Sequence, residues 1–179
     1  TMNAGALAEP GDGPAFEWMA ETAANTKAAI CGSFIVKENE KFFNRLYFVR
    51  PDGNYEFYNK RHLFTMAGEQ KVFSPGEKRV VIEYQGWKIL PQVCYDLRFP
   101  VWARNVDDYD IMINIANWPK RRSNAWKILL KARAIENQCY VVGLNRVGED
   151  GNGIYYSGDS AVLDPAGDTV WECSHQEIV

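Results

Sequence analysis

The sequence predicts an α/β or α+β protein with layered sheets, and three observations carry that expectation. Strand-like segments outnumber helical ones. The clearest helix, over 124–137, separates two mostly apolar runs of buried-strand type, "DIMINIAN" and "CYVVGLN", and the N-terminal part reads as a helix followed by a meander. With 179 residues, 46% of them hydrophobic and 24% charged, the chain is expected to form one domain over residues 1–179 around one sizeable core.

Taken in order, "PAFEWMAETAANTK" has proline near its start and apolar residues at Phe16, Met19, Ala20, Ala23 and Ala24, a helical spacing. "AAICGSFIV" and "FFNRLYFVR" read as strands, and the turn signal "PDGN" leads into a third, "YEFYNKRHLF". "TMAGEQKVFSPGEK" holds too many breakers for a regular element, and loops of that length are often functional. "VVIEYQGWKILPQV" is a hairpin around Gln85 and Gly86, although Pro91 conflicts with a central strand because it cannot donate to the ladder. "PVWARNVDD" reads as a short helix. In the helix over 124–137, Ala125, Ile128, Leu129, Ala132 and Ile135 form one apolar stripe. Trp126, Leu130 and Ala134 form a second, and Ser123 is the expected N-cap. "VGEDGNG" is a turn, and "SAVLDPAGDTVWEC" a hairpin around Pro165–Gly167.

A net charge of −3 and a pI near 5.5 do not supply the concentrated positive field that nucleic acid or an anionic membrane demands, so the expected partner is a small molecule. Cys31, Cys94, Cys139 and Cys173 are widely spread and only His62 and His175 could join them, which gives neither a zinc signature nor a disulfide framework. Reduced thiols in a cytoplasmic protein are the expectation. No stretch approaches the roughly 18 apolar residues of a membrane span, and "TMNAGALAEPGDG" lacks the build of a signal peptide.

Cys94 follows a strand directly and precedes "YDLRFP". A tight turn there would expose its sulfur and aim the following backbone N–H groups at one point, the geometry of a nucleophile with an oxyanion hole. A free cysteine is equally a small core hydrophobe. Lys60, placed by strand alternation on one face with Tyr58, His62 and Phe64, is either drawn into a desolvated site or snorkels to solvent. His62 is either hydrogen-bonded structure or a base for Cys94, and Glu69 is either a solvated loop carboxylate or a group reaching back to Lys60. "NWPKRRS" sets Asn117, Trp118, Arg121 and Arg122 between a strand end and a helix start, where ligands of layered α/β proteins bind and arginine favours a carboxylate. A solvated basic turn is the alternative.

Together, "YNKRHLF", "FSPGEK", "VCYDLRFP", "NWPKRRS" and "ARAIENQCYVVGLNRVG", in this order and spacing, resemble the nitrilase (carbon-nitrogen hydrolase) superfamily. "CYDLRFP" is similar to its amidase side, and "NWPKRRSNAWKILLKARAIENQ" to omega-amidase-like members, which hydrolyse the terminal amide of 2-oxoglutaramate and related monoamides. The resemblance implies an α-β-β-α sandwich, a Glu-Lys-Cys triad, a cysteine thioester intermediate, no metal or organic cofactor, and a homodimer or higher homo-oligomer. By resemblance Cys94 is the nucleophile, Lys60 the catalytic lysine and Glu69 a second, assisting glutamate. The Tyr95 N–H joins Lys60 in holding the oxyanion, and His62 becomes structural. Asn117, Trp118 and Arg122 fall to the substrate, with Arg122 rather than Arg121 on its carboxylate.

One departure stands against this agreement. The base glutamate of the family lies in a Leu-Pro-Glu-Met-Phe type segment that matches nothing here, and Glu9, Glu17 and Glu21 do not fit it. The expectation is a partial sandwich, incomplete at both ends: it begins beyond that segment and stops short of the family's tail, and its activity is reduced or lost for want of the base. Another amide or carbamoyl hydrolase of the superfamily and a non-catalytic fragment are the alternatives.

Overall fold

The computed structural model describes residues 3–106 and 108–175. The chain falls into two units, Thr1–Val80 and Val81–Val179. The expected single domain over 1–179 also takes in positions 1, 2, 107 and 176–179, which lie outside the described residues.

The first unit opens with one helical turn, α1 (Ala4–Leu7), followed by α2 (Pro14–Thr26). Pro14 occupies the first helical position, where a missing N–H costs nothing. Gly13 before it has no capping side chain, and the Glu9 carboxylate takes that role by accepting the Ala15 N–H at 2.8 Å. Strands β1 (Ile30–Glu38), β2 (Lys41–Val49) and β3 (Tyr55–Asn59) form an antiparallel sheet in that order. Asn39 and Glu40, with φ +48° and +60°, make the two-residue turn whose twist suits a hairpin. Met19 and Ala23 of α2 pack on Val36, Tyr47 and Val49, whereas Ala24, at the edge of the expected stripe, is exposed.

The third strand is shorter than its sequence suggests. It ends at Asn59 because the next residues turn: the Arg61 N–H donates to the Tyr58 hydroxyl at 3.1 Å instead of to a neighbouring strand. Tyr58, Lys60, His62 and Phe64 therefore do not share one strand face. The breaker-rich segment beyond contains two short 3-10 turns, Thr65–Ala67 and Glu69–Lys71.

In the second unit, β4 (Ile82–Tyr84) and β5 (Trp87–Val93) form the expected hairpin around Gln85 and Gly86. A 3-10 turn (Cys94–Arg98) and α3 (Pro100–Ala103) lead to β6 (Ile111–Ala116). The short helix read in "PVWARNVDD" thus covers only its first residues. A second 3-10 turn (Lys120–Arg122) and α4 (Ser123–Asn137) cross to β7 (Tyr140–Asn145), and then follow β8 (Val147–Glu149), β9 (Tyr155–Leu163) and β10 (Thr169–Ser174). The sheet order is β10-β9-β7-β6-β5-β4, with β8 paired to β9, and β5, β6 and β7 run parallel. Pro91 fits inside β5 because β4 pairs only with Trp87–Ile89, so beyond Ile89 that flank carries no strand needing a donor.

One sheet face presents Leu90, Met112, Val141 and Leu163 to Trp126, Leu130 and Ala134 of α4. The second of the two apolar stripes is the buried one. Of the first, Ile128 and Ile135 are exposed while Ala125, Leu129 and Ala132 are half-buried. The helix lies so close at Gly143 that a Cβ there would come within 2.4 Å of Leu130 Cδ1, so glycine sets the approach. Helices layered on sheet, as the α/β reading expects, are found in each unit.

Ser123 does not cap α4. It is the first helical residue, Arg122 holds the cap position, and the Ser123 hydroxyl donates to Asp159 at 2.7 Å. Asp159 explains the difference, because its buried carboxylate takes the hydroxyl in a charge-assisted hydrogen bond and holds the serine toward β9. It also accepts from Ser157 at 2.5 Å, Ser174 at 2.7 Å and Lys127 at 2.8 Å, and its carbonyl takes the Trp126 indole N–H at 2.8 Å. Asp159 thereby ties α4 to β9 and β10. Burial pushes its pKa up, but the bonds from Lys127, Ser157, Ser123 and Ser174 outweigh this and hold the carboxyl well below the usual range. A group depressed in the folded state stabilises above its unfolded pKa, about 3.9 for Asp, and that contribution is lost as pH falls below it. Asp159→Asn is expected to lower stability at pH 7 by about 2–3 kcal/mol, the worth of hydrogen bonds to a charged acceptor. Thermal melts should show the gap from the unsubstituted chain narrowing below pH 4; a gap independent of pH would refute the assignment.

Candidate active site

The parallel strand β5 ends in extended backbone at Val93, φ −124° and ψ 113°, and Cys94 then takes φ +49°. A side chain in the left-handed region costs about 1–2 kcal/mol, and such outliers persist where the surroundings fix them. Here Asp96 does much of the fixing. It is fully buried, and its Oδ2 accepts the Val93 N–H at 3.1 Å while its carbonyl accepts the Phe99 N–H at 2.9 Å. From α4, the buried Arg133 donates to the Leu97 carbonyl at 2.6 Å and pairs with Glu136 at 2.7 Å. The turn is thus held at both ends, with Cys94 half-buried at its apex. Tyr95 is also half-buried, its ring edge-on to Phe99 at 5.2 Å.

All four cysteines are free thiols. Burial pushes Cys31 up to about 12 and Cys139 up to about 11, which leaves both protonated and inert at neutral pH. Cys94 differs from them in following the C-terminal end of a parallel strand.

The next parallel strand, β6, releases Asn117 to solvent and buries Trp118. The Trp118 ring lies 5.4 Å from that of Trp126, its indole N–H donates to the Arg122 carbonyl at 2.8 Å, and the Arg98 guanidinium sits over it at 5.1 Å. Arg98 belongs to the Cys94 turn, so this cation–π contact joins that turn to the one carrying Asn117, Trp118 and Arg122. Arg122 is half-buried and Arg121 exposed.

Lys60 and Glu69 meet in the first unit. The Lys60 side chain is 2% exposed and its Nζ lies 2.6 Å from Glu69 Oε2, which also accepts the Phe64 N–H at 2.7 Å. One carboxylate oxygen thus serves both a buried ammonium and the loop backbone. The Lys60 main chain is pinned as well, its N–H to the Asn44 carbonyl and its carbonyl to the Gly76 N–H, both at 2.9 Å. Gly76, from "FSPGEK", passes so near Asn59 that a Cβ would stand 2.1 Å from the carbonyl oxygen, so only glycine fits. Of the carboxylates near the N-terminus, Glu9 caps α2, and Glu17 and Glu21 are exposed on that helix. His62 is half-buried in the turn after Lys60.

Sequence reasoning passed over Asp96, Arg98, Asn145 and Tyr156. Tyr156 is buried, donates to Asp150 at 3.0 Å and lies under the Arg146 guanidinium at 4.8 Å. Burial, then the Asp150 hydrogen bond and charge, raise its pKa, with a smaller push from Cys94. The position of Asp96 in "CYDLR", two residues after the nucleophile candidate, was the available signal for its role; nothing local distinguishes Asn145 or Tyr156. Among the described residues, no group of three or more His, Cys, Asp or Glu is arranged to hold a metal ion, and no helix is long and apolar enough to cross a membrane.

The carbon-nitrogen hydrolase family profile matches residues 3–179. The chain is 52% identical over 153 residues to the omega-amidase YafV of Escherichia coli K12, an alignment spanning 86% of this chain and 60% of that protein. It is 34% identical over 175 residues to a 2-oxoglutaramate amidase of Bacillus subtilis, across 96% of this chain and 67% of that one. The crystal structure of XC1258 from Xanthomonas campestris, a CN-hydrolase superfamily protein with an arsenic adduct in its active site, superposes with a TM-score of 0.93 at 47% identity. That match covers 96% of this chain and 68% of XC1258.

The left-handed backbone at Cys94 has a measurable consequence. Cys94→Gly should melt above Cys94→Val by the equivalent of about 1–2 kcal/mol, since glycine adopts φ +49° freely and a β-branched residue resists it. Equal melting temperatures would contradict a strained turn.

Proposed function

This chain belongs to the carbon-nitrogen hydrolase family, and on that premise we propose that it hydrolyses the terminal amide of a small carboxylate-bearing substrate of the 2-oxoglutaramate type. The observation that carries the reading is the left-handed turn that sets Cys94 at the C-terminal end of a parallel strand, a nucleophile-elbow geometry. The activities for which the E. coli and B. subtilis relatives are named support the substrate class.

In this reading the Cys94 thiol gives its proton to a base and the sulfur attacks the amide carbon. The Tyr95 N–H and the Lys60 ammonium stabilise the oxyanion, the C–N bond breaks with return of the proton to nitrogen, and ammonia leaves a thioester that water hydrolyses to the acid. Glu69 holds Lys60 in place through their 2.6 Å contact. Arg122 receives the remote carboxylate beside Asn117 and Trp118, so binding energy positions the reacting carbon. Glu9 is engaged at α2 and Glu17 and Glu21 are exposed on it, so we assign the base to none of these three. The reaction so written calls for no metal or organic cofactor, and we read residues 1–179 as one hydrolase domain of a cytoplasmic homo-oligomer. Ile128 and Ile135, 56% and 55% exposed on α4, support self-association.

Ammonia release from 2-oxoglutaramate tests the activity. Cys94→Ala should abolish it, and Lys60→Ala should reduce it by about 10²–10³-fold, the usual loss of an oxyanion donor. Undiminished turnover in Cys94→Ala would reject the nucleophile. Arg122→Ala should lose activity on carboxylate-bearing amides far more than on neutral ones, and equal losses would reject the carboxylate role. Sedimentation velocity should find a dimer or larger; a monomer at micromolar concentration would reject the oligomer.

A further inference from the structure

The ladder between β6 and β7 ends at the pair Ala116–Asn145. Beyond it the Asn145 side chain continues the pairing. Its Oδ1 accepts the Trp118 N–H at 2.7 Å and its Nδ2 donates to the Trp118 carbonyl at 3.0 Å, so one amide grips both polar groups of a single residue as a neighbouring strand would. The second Nδ2 hydrogen goes to the Gly158 carbonyl at 2.7 Å, and the Asn145 N–H donates to the Ser160 hydroxyl at 3.0 Å. At 7% exposure, the side chain has both its donors and its acceptor used. Trp118 then passes the constraint on, because its indole N–H holds the Arg122 carbonyl at 2.8 Å. The residue skipped by this grip is Asn117, the one left in solvent.

We propose that Asn145 is a positioning residue that fixes Arg122 through Trp118 and so determines how far from Cys94 a substrate carboxylate is held. The proposal rests on the amidase reading for its substrate and on the hydrogen bonds alone for its relay. Asparagine is required because the task combines an acceptor with two donors in one plane. An aspartate side chain in its place would keep the acceptor and lose both donors, and alanine would lose all three. Asn145 touches no reacting atom, so its effect belongs in substrate binding and selectivity.

Asn145→Asp is the direct test. Its KM for 2-oxoglutaramate should rise about tenfold, which corresponds to about 1.4 kcal/mol of lost binding, while KM for a neutral aliphatic amide of equal length and kcat for both change less than about threefold. Equal rises in KM for the two amides would overturn the proposal. If Asn145→Asp does not fold, Trp118→Phe removes the indole bond to Arg122 while keeping an aromatic ring for Trp126 and Arg98, and should give the same split in KM; no split would overturn the relay. Hydrogen exchange of the Trp118 indole N–H, followed by NMR, is independent of activity. It should be slow in the unsubstituted chain and at least about tenfold faster in Asn145→Asp, and unchanged exchange would overturn the relay. Turnover of neutral amides with none of 2-oxoglutaramate, together with slow indole exchange, would instead reject the carboxylate-substrate reading and keep the clamp.

Discussion

The parallel register of β5, β6 and β7 governs where the candidate site residues of the second unit emerge. Val93 pairs with Ile115, and Ile115 with Leu144, so the three strands end at nearly one level. The Cys94 turn, the Asn117–Arg122 segment and Arg146 then leave the sheet at the same edge, the C-terminal end at which open α/β sheets bind ligands. A slip of one residue would turn every side chain of a strand to its opposite face, exposing Leu90, Met112 or Val141 and breaking the seat of α4. Gly143 protects that seat from the other side by letting Leu130 approach the β7 backbone. Packing and site geometry therefore draw on the same alignment.

Four buried charged side chains each meet an opposite charge. Lys60 meets Glu69, Arg45 meets Glu38, Arg133 meets Glu136, and Asp159 meets Lys127 with three serine hydroxyls. Each pair also binds backbone or neighbouring side chains, and that multiplicity separates a positioned charge from one that is merely neutralised. Arg45 lies over Phe57 at 4.1 Å as well as against Glu38 and Asn59. Trp118 is handled alike, between Trp126 and Arg98, with main chain and indole each tied.

Much of this was legible in the chain. Apolar runs of strand length gave β5, β6 and β7, the two-residue turns gave the hairpins, and a helical spacing that broke at Gln138 gave α4. The Lys60–Glu69 contact stood as one of two alternatives, because an irregular loop lets Glu69 either face solvent or reach back to Lys60. Other features depend on partners remote in sequence. Ser123 looks like a cap until Asp159, 36 residues on, takes its hydroxyl. The strand from Tyr55 is a local case: it reads on to Phe64 because strand alternation does not signal that the Tyr58 hydroxyl will capture the Arg61 N–H three residues on. The two stripes on α4 read as two faces to be covered, while the sheet buries the one carrying Trp126 and leaves Ile128 and Ile135 exposed. Asn145 is indistinguishable from any polar residue at a strand end until the turn it grips is folded beside it.

The left-handed backbone at Cys94 also bears on how such a chain diverges. On the proposed chemistry, selection holds a residue with a side chain in a conformation that glycine, asparagine or aspartate occupies with less resistance. Should that selection relax, the first tolerated replacements are those three, and valine or isoleucine come last even though they match the apolar run before the turn. The backbone would thus outlive the reaction as a record of it: a descendant with glycine or asparagine at this position, Asp96 still buried beneath it, would mark a lost nucleophile rather than a site that never had one.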